Sequence, residues 1–257
     1  MHIRNQINYI AAIICITLLA GCMTSKRNSN FLFHCTFDSE ESTRHPDVGP
    51  EAASMIGMTF VESDSGTAVI VANGTSIVYN FPTNYFGPKG TFIVRAKLMT
   101  NDDVCHRGPC FFNLQQYNEK TRKGPWCYLS YSTNNGQARS GYCGAVINPR
   151  GATIDGFWKR FNYSDTLGEN WKDWHEFRMS WNFTDTTQKQ LVNIYIDNKL
   201  MASNYKNDFN LESLRNAWKN SPGCLAFGQS PFGHNSPEPF LIDDFKILNT
   251  DNPDVTE

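Results

Sequence analysis

The sequence is poor in the features that mark several classes of protein. Its 257 residues hold 23 Lys and Arg against 25 Asp and Glu, so there is no basic surplus and we expect no nucleic-acid partner. Long runs of Ala, Glu, Leu and Lys, which favour helices, are missing. No two cysteines have the Cys-x-x-Cys spacing of a zinc site. Aromatic residues make up 13% of the chain, which favours an all-β domain of strands joined by polar turns.

The amino terminus also lacks a membrane-spanning run, since the apolar stretch of residues 9–20 is shorter than the roughly 20 residues that a helix needs to cross a bilayer. The stretch is followed by Gly21 and Cys22, and Leu19-Ala20-Gly21-Cys22 resembles the lipobox of bacterial lipoproteins. The resemblance implies that residues 1–21 are a signal peptide, that Cys22 is lipidated, and that residues 22–30 are a tether. An aspartate after the lipidated cysteine would favour retention in the inner membrane. Met23 stands there instead, which favours an anchor in the outer membrane, on its periplasmic or its surface side. An ordinary signal peptide cut nearby is the alternative.

The clearest structural pattern is a β-hairpin between residues 174 and 203. Apolar residues alternate with polar ones in two runs, which is the period of a strand that buries one face. The inward residues are Phe177, Met179, Trp181 and Phe183 in the first run, and Val192, Ile194 and Ile196 in the second. Asp197 and Asn198 tolerate the positive φ of a two-residue turn, so we expect residues 199–201 to return beside the second run.

The same alternation predicts the other strands, and the turn signal Asn73-Gly74 predicts a second hairpin. The further strands are residues 31–37, 68–71, 76–81, 91–98, 111–117, 224–228 and 240–248, with Phe92, Val94, Ala96 and Leu98 facing inward in the fourth. We expect a loop at residues 38–50. A short helix is expected after the capping residue Asn210, because Leu211, Leu214 and Trp218 have helical spacing. The domain is then residues 31–249, with a tail at 250–257.

Six cysteines remain when Cys15 and Cys22 are set aside, and an even number in an exported chain favours three disulfides. Cys127 and Cys143 are equidistant from Asn135, so a hairpin folded there places them opposite each other, within reach of a disulfide. Cys105 and Cys110 flank a turn sequence and are predicted to close a loop. Cys35 and Cys224 are left and would tie the first strand to a late one. A zinc site and free buried thiols are the alternatives.

Six short motifs occur in order along residues 31–248. They are Phe37-Asp38, Gly90-Thr91-Phe92-Ile93-Val94-Arg95-Ala96, Trp174-His175-Glu176-Phe177, Asn193-Ile194-Tyr195-Ile196-Asp197-Asn198-Lys199, Ala226-Phe227-Gly228 and Ile242-Asp243-Asp244-Phe245-Lys246-Ile247. Their order and spacing resemble the concanavalin A-like lectin and glucanase fold, in particular its laminin-G and pentraxin-like branch. The resemblance implies an all-β, two-sheet antiparallel sandwich of the jelly-roll type whose first and last strands are neighbours. The family includes glycan-binding modules, adhesive domains and glycoside hydrolases.

Hydrolysis is the least favoured of these functions. Laminarinase-like enzymes of this fold carry Glu-x-Asp-x-x-Glu on one strand, and its carboxylates flank the bond that is cleaved. The nearest stretch here contains Glu169, Asp173 and Glu176 at spacings of four and three, and it crosses a turn. We therefore expect no enzymatic activity, and a divergent glycoside hydrolase is an alternative.

A structural calcium ion is implied by the resemblance alone. Related domains bind calcium at a rim site through oxygen ligands, the type that calcium prefers. If the first and last strands are adjacent, Asp38 and Asp243 would supply two of these ligands. The alternative is that, of the adjacent Asp243 and Asp244, one carboxylate is solvated while the other accepts hydrogen bonds from backbone donors.

The aromatic segment between Trp126 and Trp158 is the candidate ligand site. Sugar rings stack their apolar faces on flat side chains, and nearby polar groups bond the hydroxyls. We expect Tyr131 and Trp158 to stack and Arg139 to donate hydrogen bonds. Trp126, Tyr128 and Tyr142 flank the predicted Cys127–Cys143 disulfide, where packing is the commoner role.

The function predicted from the sequence is a lipid-anchored, exported module that binds a polysaccharide or other glycan, or mediates adhesion, without catalysis. A structural or protein-interaction domain of the cell envelope is the alternative. Glycan binding and protein interaction predict the same sequence, so the sequence does not separate them.

Overall fold

The computed structural model describes residues 30–99, 110–116, 126–133, 140–145, 157–162, 173–184, 190–205, 222–228 and 239–251. The chain divides into two compact units, residues 1–30 and 31–257, and the described strands belong to the second. Within these ranges no helix is both long enough and apolar enough to cross a membrane.

Two antiparallel sheets make up the second unit. The elements in chain order are β1 (Phe31–Cys35), α1 (Glu40–Arg44), β2 (Ala52–Ile56), β3 (Thr59–Ser63), β4 (Gly66–Val71), β5 (Ser76–Phe81), β6 (Lys89–Leu98), β7 (Cys110–Gln116), β8 (Trp126–Thr133), β9 (Ser140–Ala145), β10 (Phe157–Asn162), β11 (His175–Asn182), β12 (Gln190–Ile196), β13 (Lys199–Tyr205), β14 (Gly223–Gly228) and β15 (Phe240–Leu248). Sheet I has the order β13-β12-β11-β6-β15-β4-β3, and β1 also pairs with β15. Sheet II has the order β10-β9-β8-β7-β14-β5-β2.

The two sheets pack face to face and bury an aromatic core between them. Phe111 of sheet II lies against Phe177 of sheet I with ring centroids 4.3 Å apart, and Phe227 of sheet II lies against Phe245 of sheet I at 5.0 Å. Such pairs contribute about 0.5–1.5 kcal/mol each beyond the burial of their area. The predicted all-β sandwich is confirmed, and the inward residues predicted for β6 are all buried.

The hairpin between residues 174 and 203 is also confirmed. β11 pairs with β12 and β12 with β13, and every inward residue predicted for the first two runs is buried. Asp197 and Asn198 have φ values of 47° and 65° in the turn. Asp197 also fastens the hairpin to the start of β11, because its Oδ1 accepts a hydrogen bond from the N–H of Glu176 at 2.9 Å and its own N–H donates to the Glu176 carbonyl at 2.9 Å.

One face of β11 is more buried than the alternation predicts. Arg178 and Ser180, on the face away from the core, are only 5% and 3% exposed. The guanidinium of Arg178 lies over the ring of Tyr195, 4.3 Å from its centroid. A polar residue in an alternating strand is therefore not always a solvated one, because an aromatic neighbour can cover it.

The first and last strands are neighbours, as the resemblance implied. β1 pairs with β15 in antiparallel register, with Phe33 opposite Ile247 and Cys35 opposite Phe245. Because β15 also pairs with β6 and β4, it lies at the centre of sheet I and joins the two ends of the domain.

The predicted hairpin around Asn73-Gly74 is wrong, although both of its strands exist. β4 pairs with β3 and β15 in sheet I, whereas β5 pairs with β14 and β2 in sheet II. The turn therefore carries the chain from one sheet to the other. It is held by Thr75, whose Oγ1 donates to the carbonyl of Gly57 at 3.1 Å and accepts from the N–H of Ala72 at 3.2 Å.

The stretch predicted as a loop at residues 38–50 contains α1. Ser39 and Ser42 form a capping box at its amino terminus, and Thr43 is buried. The hydroxyl of Tyr79, a core residue of β5, donates to the carbonyl of Thr43 at 2.6 Å and fixes the helix to the sandwich. The helix predicted after Asn210 lies outside the described residues. Strands β2, β3 and β10 were not predicted.

The predicted opposition of Cys127 and Cys143 is wrong by four residues. β8 and β9 do pair, but Cys143 is opposite Tyr131 and not Cys127. Four residues of a strand span about 13 Å, beyond the roughly 7 Å between Cα atoms that a disulfide can bridge. Equal distance from a turn signal therefore did not identify the register, because the turn is not centred on Asn135.

Cys35 and Cys224 are free thiols, so the predicted bridge between them is not formed. Cys35 lies in the core, where its Sγ is 3.6 Å from the hydroxyl of Tyr79 and burial raises its pKa to about 12. Cys224 is opposite the exposed Asn80, which places it on the outer face of sheet II. The sheet itself separates the two sulfur atoms. Cys105 lies outside the described residues, so its disulfide with Cys110 stays a prediction.

Gly90 offers a direct test of the packing between β6 and β11. Trp181 is opposite Gly90, and a Cβ at this position would overlap the indole ring and approach the carbonyl of Leu248 to 2.7 Å. We expect Gly90→Ala to lower the unfolding free energy by about 1–3 kcal/mol in urea titration. The control is Gly87→Ala, whose new Cβ would have ordinary contacts, the nearest at 3.6 Å. Equal stability of both variants would contradict this packing.

Candidate ligand-binding surface

An arginine–aspartate pair organises the outer face of sheet I. The register of β15 against β6 shifts between Ile242 and Asp244, so Asp243 is the extra residue of a β-bulge. The bulge turns the Asp243 carboxylate towards Arg95 and Ser65; Arg95 pairs with it, and the hydroxyl of Ser65 donates to its Oδ2 at 2.6 Å. The guanidinium of Arg95 also lies over the ring of Trp174, 4.5 Å from its centroid.

Asp243 is a buried carboxylate with its charge compensated on one side. Burial raises its pKa above the ordinary aspartate value, and the hydrogen bond from Ser65 and the charge of Arg95 oppose the rise. The Oδ1 atom has no hydrogen-bond partner within the described part of the protein. Removal of Arg95 would leave this carboxylate buried and unpaired, which is costly.

Asp38 lies beside the turn that binds Asp243. A Cβ at Gly66, next to Ser65, would be 3.3 Å from Oδ1 of Asp38. The structure thus brings both carboxylates predicted for calcium to the β3–β4 turn, but Arg95 supplies a positive charge at Asp243. Among the described residues, no three His, Cys, Asp or Glu side chains are grouped as metal ligands. Calcium stays a prediction.

Asp244, the next residue, has the opposite electrostatic character. Nε2 of His34 lies 3.0 Å from its Oδ1, and Lys246 pairs with its Oδ2. Burial alone would raise the pKa of Asp244, but the hydrogen bonds from His34 and Lys246 outweigh burial and lower it. Nδ1 of His34 is 3.4 Å from Asp47, so this histidine connects β1, β15 and the segment after α1.

Of the two described carboxylates in the stretch that was compared with the hydrolase motif, Glu176 is half-buried. Burial raises its pKa, although the charges of Arg178 and Lys246 oppose the rise. Its backbone closes the hairpin through Asp197, and its cross-strand partner on β6 is Arg95. Asp173 is exposed, and Glu169 lies outside the described residues. These contacts describe a charge-compensated sheet face and do not assemble a catalytic pair.

Sheet II carries aromatic residues where sheet I carries charged ones. The register of its strands shows which of these aromatic positions are on the inner face and which are on the outer face. Leu225 of β14 is opposite Leu114 of β7, which is opposite Cys127 of β8. Both leucines are buried in the core, so this row belongs to the inner face. Because the faces alternate at every residue of a strand, Trp126 and Tyr128 are outer-face positions.

A neighbouring row confirms the assignment of Trp126. It runs from Asn80 of β5 through Cys224 of β14 and Gln115 of β7 to Trp126. Asn80 is exposed and Cys224 is half-buried, as expected for the outer face.

The pairing of β8, β9 and β10 extends the outer face without a register shift. Ser130 is opposite Gly144, which is opposite Trp158. One further row joins Ser132, Tyr142 and Arg160. The outer face of these strands therefore has four aromatic positions and one arginine position: Trp126, Tyr128, Tyr142, Trp158 and Arg160.

This assignment separates the residues predicted to bind a sugar. Tyr131 is opposite Cys143 and falls on the inner face, one register step from the row of Trp158. Arg139 lies outside the described residues. Trp126, Tyr128 and Tyr142, for which packing was the expected role, share the face of Trp158. The alternation of faces alone could not have assigned these three residues to the outer face. That assignment also needs one residue of β8 whose side is known.

No protein-family model matches the sequence, and no curated protein matches it. Solved structures with a similar fold include the botulinum neurotoxin serotype D binding domain, at 13% identity and a TM-score of 0.55, with 87% of this chain and 48% of that chain covered. A second is the serotype D ligand binding domain in complex with N-acetylneuraminic acid, at 13% identity, a TM-score of 0.53 and the same coverage. A third is the serotype G binding domain, at 11% identity and a TM-score of 0.52, with 86% and 48% covered.

The chain spans about half the length of these structures. At such low identity the likeness shows the fold alone. It agrees with the two-sheet sandwich and leaves the concanavalin A-like family as a resemblance.

The role of Asp244 can be tested through pH. Because its folded pKa is lowered, its carboxylate stabilises the fold above the ordinary aspartate value of 3.8, and this contribution is lost as the pH falls below that value through the folded pKa. We expect Asp244→Asn to cost about 1–2 kcal/mol at neutral pH and to approach the parent in acid. Urea titration across the pH range measures both.

The control for this experiment is Asp47→Asn. Asp47 also faces His34, but its side chain is 55% exposed, so its loss should change stability by less than about 0.5 kcal/mol. A deficit of Asp244→Asn that stays constant down to the lowest pH would contradict the assigned role.

Proposed function

We propose that this chain is a non-catalytic glycan-binding module, held at the outer membrane by an acylated Cys22. The observation that carries the proposal is the set of four aromatic positions on the outer face of β8, β9 and β10. Large aromatic residues on an outer sheet face either pack under a covering segment or meet a partner, and sugars stack on such residues. Arginine and amide positions on the same face supply donors for sugar hydroxyls.

The comparison with solved structures supports the same class of function. The similar structures are described as binding domains, and one of them is a complex with N-acetylneuraminic acid. Their identity to this chain is too low to carry over a ligand or a binding residue. They support a binding role over a catalytic one, in agreement with the missing hydrolase motif.

The outer face of sheet II fits this role better than the outer face of sheet I. On sheet I, Arg95, Asp243, Asp244 and Lys246 are engaged with one another or with neighbouring side chains. A ligand there would have to break these contacts. Sheet II offers aromatic positions in rows that contain small or amide residues, such as Ser130, Gly144 and Gln115.

Two aromatic variants on opposite faces test the proposal. Trp158→Ala should weaken binding to a panel of immobilised polysaccharides at least about tenfold, a loss of about 1.4 kcal/mol, and should change stability by about 0.5 kcal/mol or less. Tyr131→Ala removes an inner-face residue and should cost about 3–5 kcal/mol of stability. Melting temperature and binding are measured on both. Unchanged binding by Trp158→Ala would contradict the proposed surface.

The lipid anchor has a separate test. Cys22→Ser removes the residue that the lipobox would acylate, so the variant should move from the membrane fraction to the soluble exported fraction, since lipid chains provide the affinity for the bilayer. Fractionation and mass spectrometry of the amino-terminal peptide measure this. Cys15→Ser, within the proposed signal peptide, is the matched control and should stay with the membrane. Retention of both variants in the membrane would refute the anchor.

A further inference from the structure

We propose that the outer face of sheet II takes an extended glycan chain lying across β8, β9 and β10, and not a single terminal sugar. This inference rests on the proposed glycan-binding function and names its ligand class. It follows from where the register places two pairs of aromatic positions. Trp126 and Tyr128 form one pair on β8, and Tyr142 and Trp158 form the other on β9 and β10.

The two pairs are far apart on the sheet. Trp158 lies in the row of Ser130, two residues along β8 from Tyr128 and two strands across. With about 3.3 Å per residue and about 4.8 Å per strand, the backbone positions of Tyr128 and Trp158 are about 12 Å apart, and those of Trp126 and Trp158 about 16 Å. One sugar ring covers one aromatic side chain, so a ligand that contacts both pairs must contain several linked rings.

The positions between the pairs are suited to a chain that lies flat. Ser130 and Gly144 occupy the row that connects β8 to Trp158, and both are small residues. No register shift interrupts the pairing of β8 with β9 or of β9 with β10. We call this row the track; small residues at its positions let a sugar chain lie close to the sheet backbone, whereas a single-sugar site needs a concave pocket with convergent polar groups.

Polar positions occur at both ends of this track. Gln115 is opposite Trp126, and Arg160 is opposite Tyr142. Each aromatic pair thus has a neighbouring donor for hydroxyl groups. A chain bound at one end holds its other end near the second pair, so the second contact forms at a high effective concentration and affinity rises with chain length.

The competing explanation is that the four aromatic residues cover sheet II as a subsidiary core. Val78 and Ala226, outer-face positions on β5 and β14, are buried, so part of this face is covered. Tyr128 lies in the same row as these two residues, through Asn113 of β7, whereas Trp126, Tyr142 and Trp158 lie in other rows. Substitution of the aromatic residues separates the two explanations. If they pack, substitution lowers the stability of the domain; if they bind, it changes how affinity depends on the length of the oligosaccharide.

The experiment measures binding of the exported domain, residues 22–257 with Cys22→Ser, to purified oligosaccharide ladders. The probes are β-1,4-linked ladders of glucose, mannose, xylose and N-acetylglucosamine and a β-1,3-linked glucose ladder, each from monomer to hexamer, together with free N-acetylneuraminic acid. In at least one ladder the hexamer should bind about tenfold or more tightly than the dimer. Trp126→Ala should abolish this gain and leave the short oligomers unaffected, because only the far contact is lost.

Two further variants keep the test decisive if Trp126→Ala fails to fold. Gln115→Ala and Arg160→Ala, at opposite ends of the track, should each weaken the hexamer about fivefold or more while the melting temperature stays near the parent. Leu200→Ala, an exposed residue of sheet I, is the control and should change nothing.

The outcomes separate the two proposals. Equal affinity for monomer and hexamer, or tight binding of N-acetylneuraminic acid alone, would overturn the extended site and leave glycan binding standing. A gain with chain length that Trp126→Ala, Gln115→Ala and Arg160→Ala all retain would also overturn it. Binding to no ladder and no monosaccharide would overturn both proposals. Loss of folding in the aromatic variants with unchanged hexamer binding in the polar ones would establish the packing role.

Discussion

The alternation of side chains along the strands is the constraint on which the rest of the molecule depends. Two sheets can bury a core only if every second residue of each strand faces the other sheet. In β6 and β11 that half of the residues is buried and, apart from His175, has no polar side chain; the opposed pair Gly90 and Trp181 shows how closely the two strands pack. The same rule that fills the core also determines which residues are left for the outer faces.

The outer face of sheet I shows what happens when polar residues fill the remaining positions. Asp243 and Asp244 are adjacent in the chain, yet their pKa values move in opposite directions. The β-bulge accounts for the difference, because it turns Asp243 towards Arg95 and Ser65 and leaves Asp244 to His34 and Lys246. Two like charges in sequence are thus separated into two ion-paired carboxylates, with Arg95 beside Asp243 and Lys246 beside Asp244.

Local patterns predicted elements well and partners poorly. The inward residues of β6, β11 and β12 followed from periodicity because a buried face needs only the sequence of its own strand. The partner of β4 did not follow, since Asn73-Gly74 specifies a tight turn equally well within a sheet or between sheets. The predicted register of β8 against β9 was wrong for a related reason. The prediction assumed a turn centred on Asn135. A shift of β9 along β8 by four residues, an even number, keeps every residue on the same face, so the alternation of apolar and polar residues does not reveal the shift.

That register also accounts for what was missed in the candidate site. Without it, Tyr131 and Trp158 were judged by their distance from loop tips, a measure that ignores the alternation of faces. Once Leu114 and Leu225 fix the inner face, Tyr131 falls on that side, and Trp126, Tyr128 and Tyr142 fall on the other with Trp158. The assignment of residues to the proposed binding surface therefore depends on strand pairing, including that of β7 with the distant β14.

The two outer faces can be compared as surfaces for recognition. A charge-compensated face presents few donors that are not already engaged, so a ligand gains little by replacing contacts that exist. A face with aromatic positions and small residues between them has the opposite balance, because stacking on a ring needs no existing hydrogen bond to be broken. On sheet I, His34 joins the first strand to the last one through Asp244, and Arg95 joins β6 to the last strand through Asp243. The proposed glycan surface is therefore placed on β8 to β10 of sheet II.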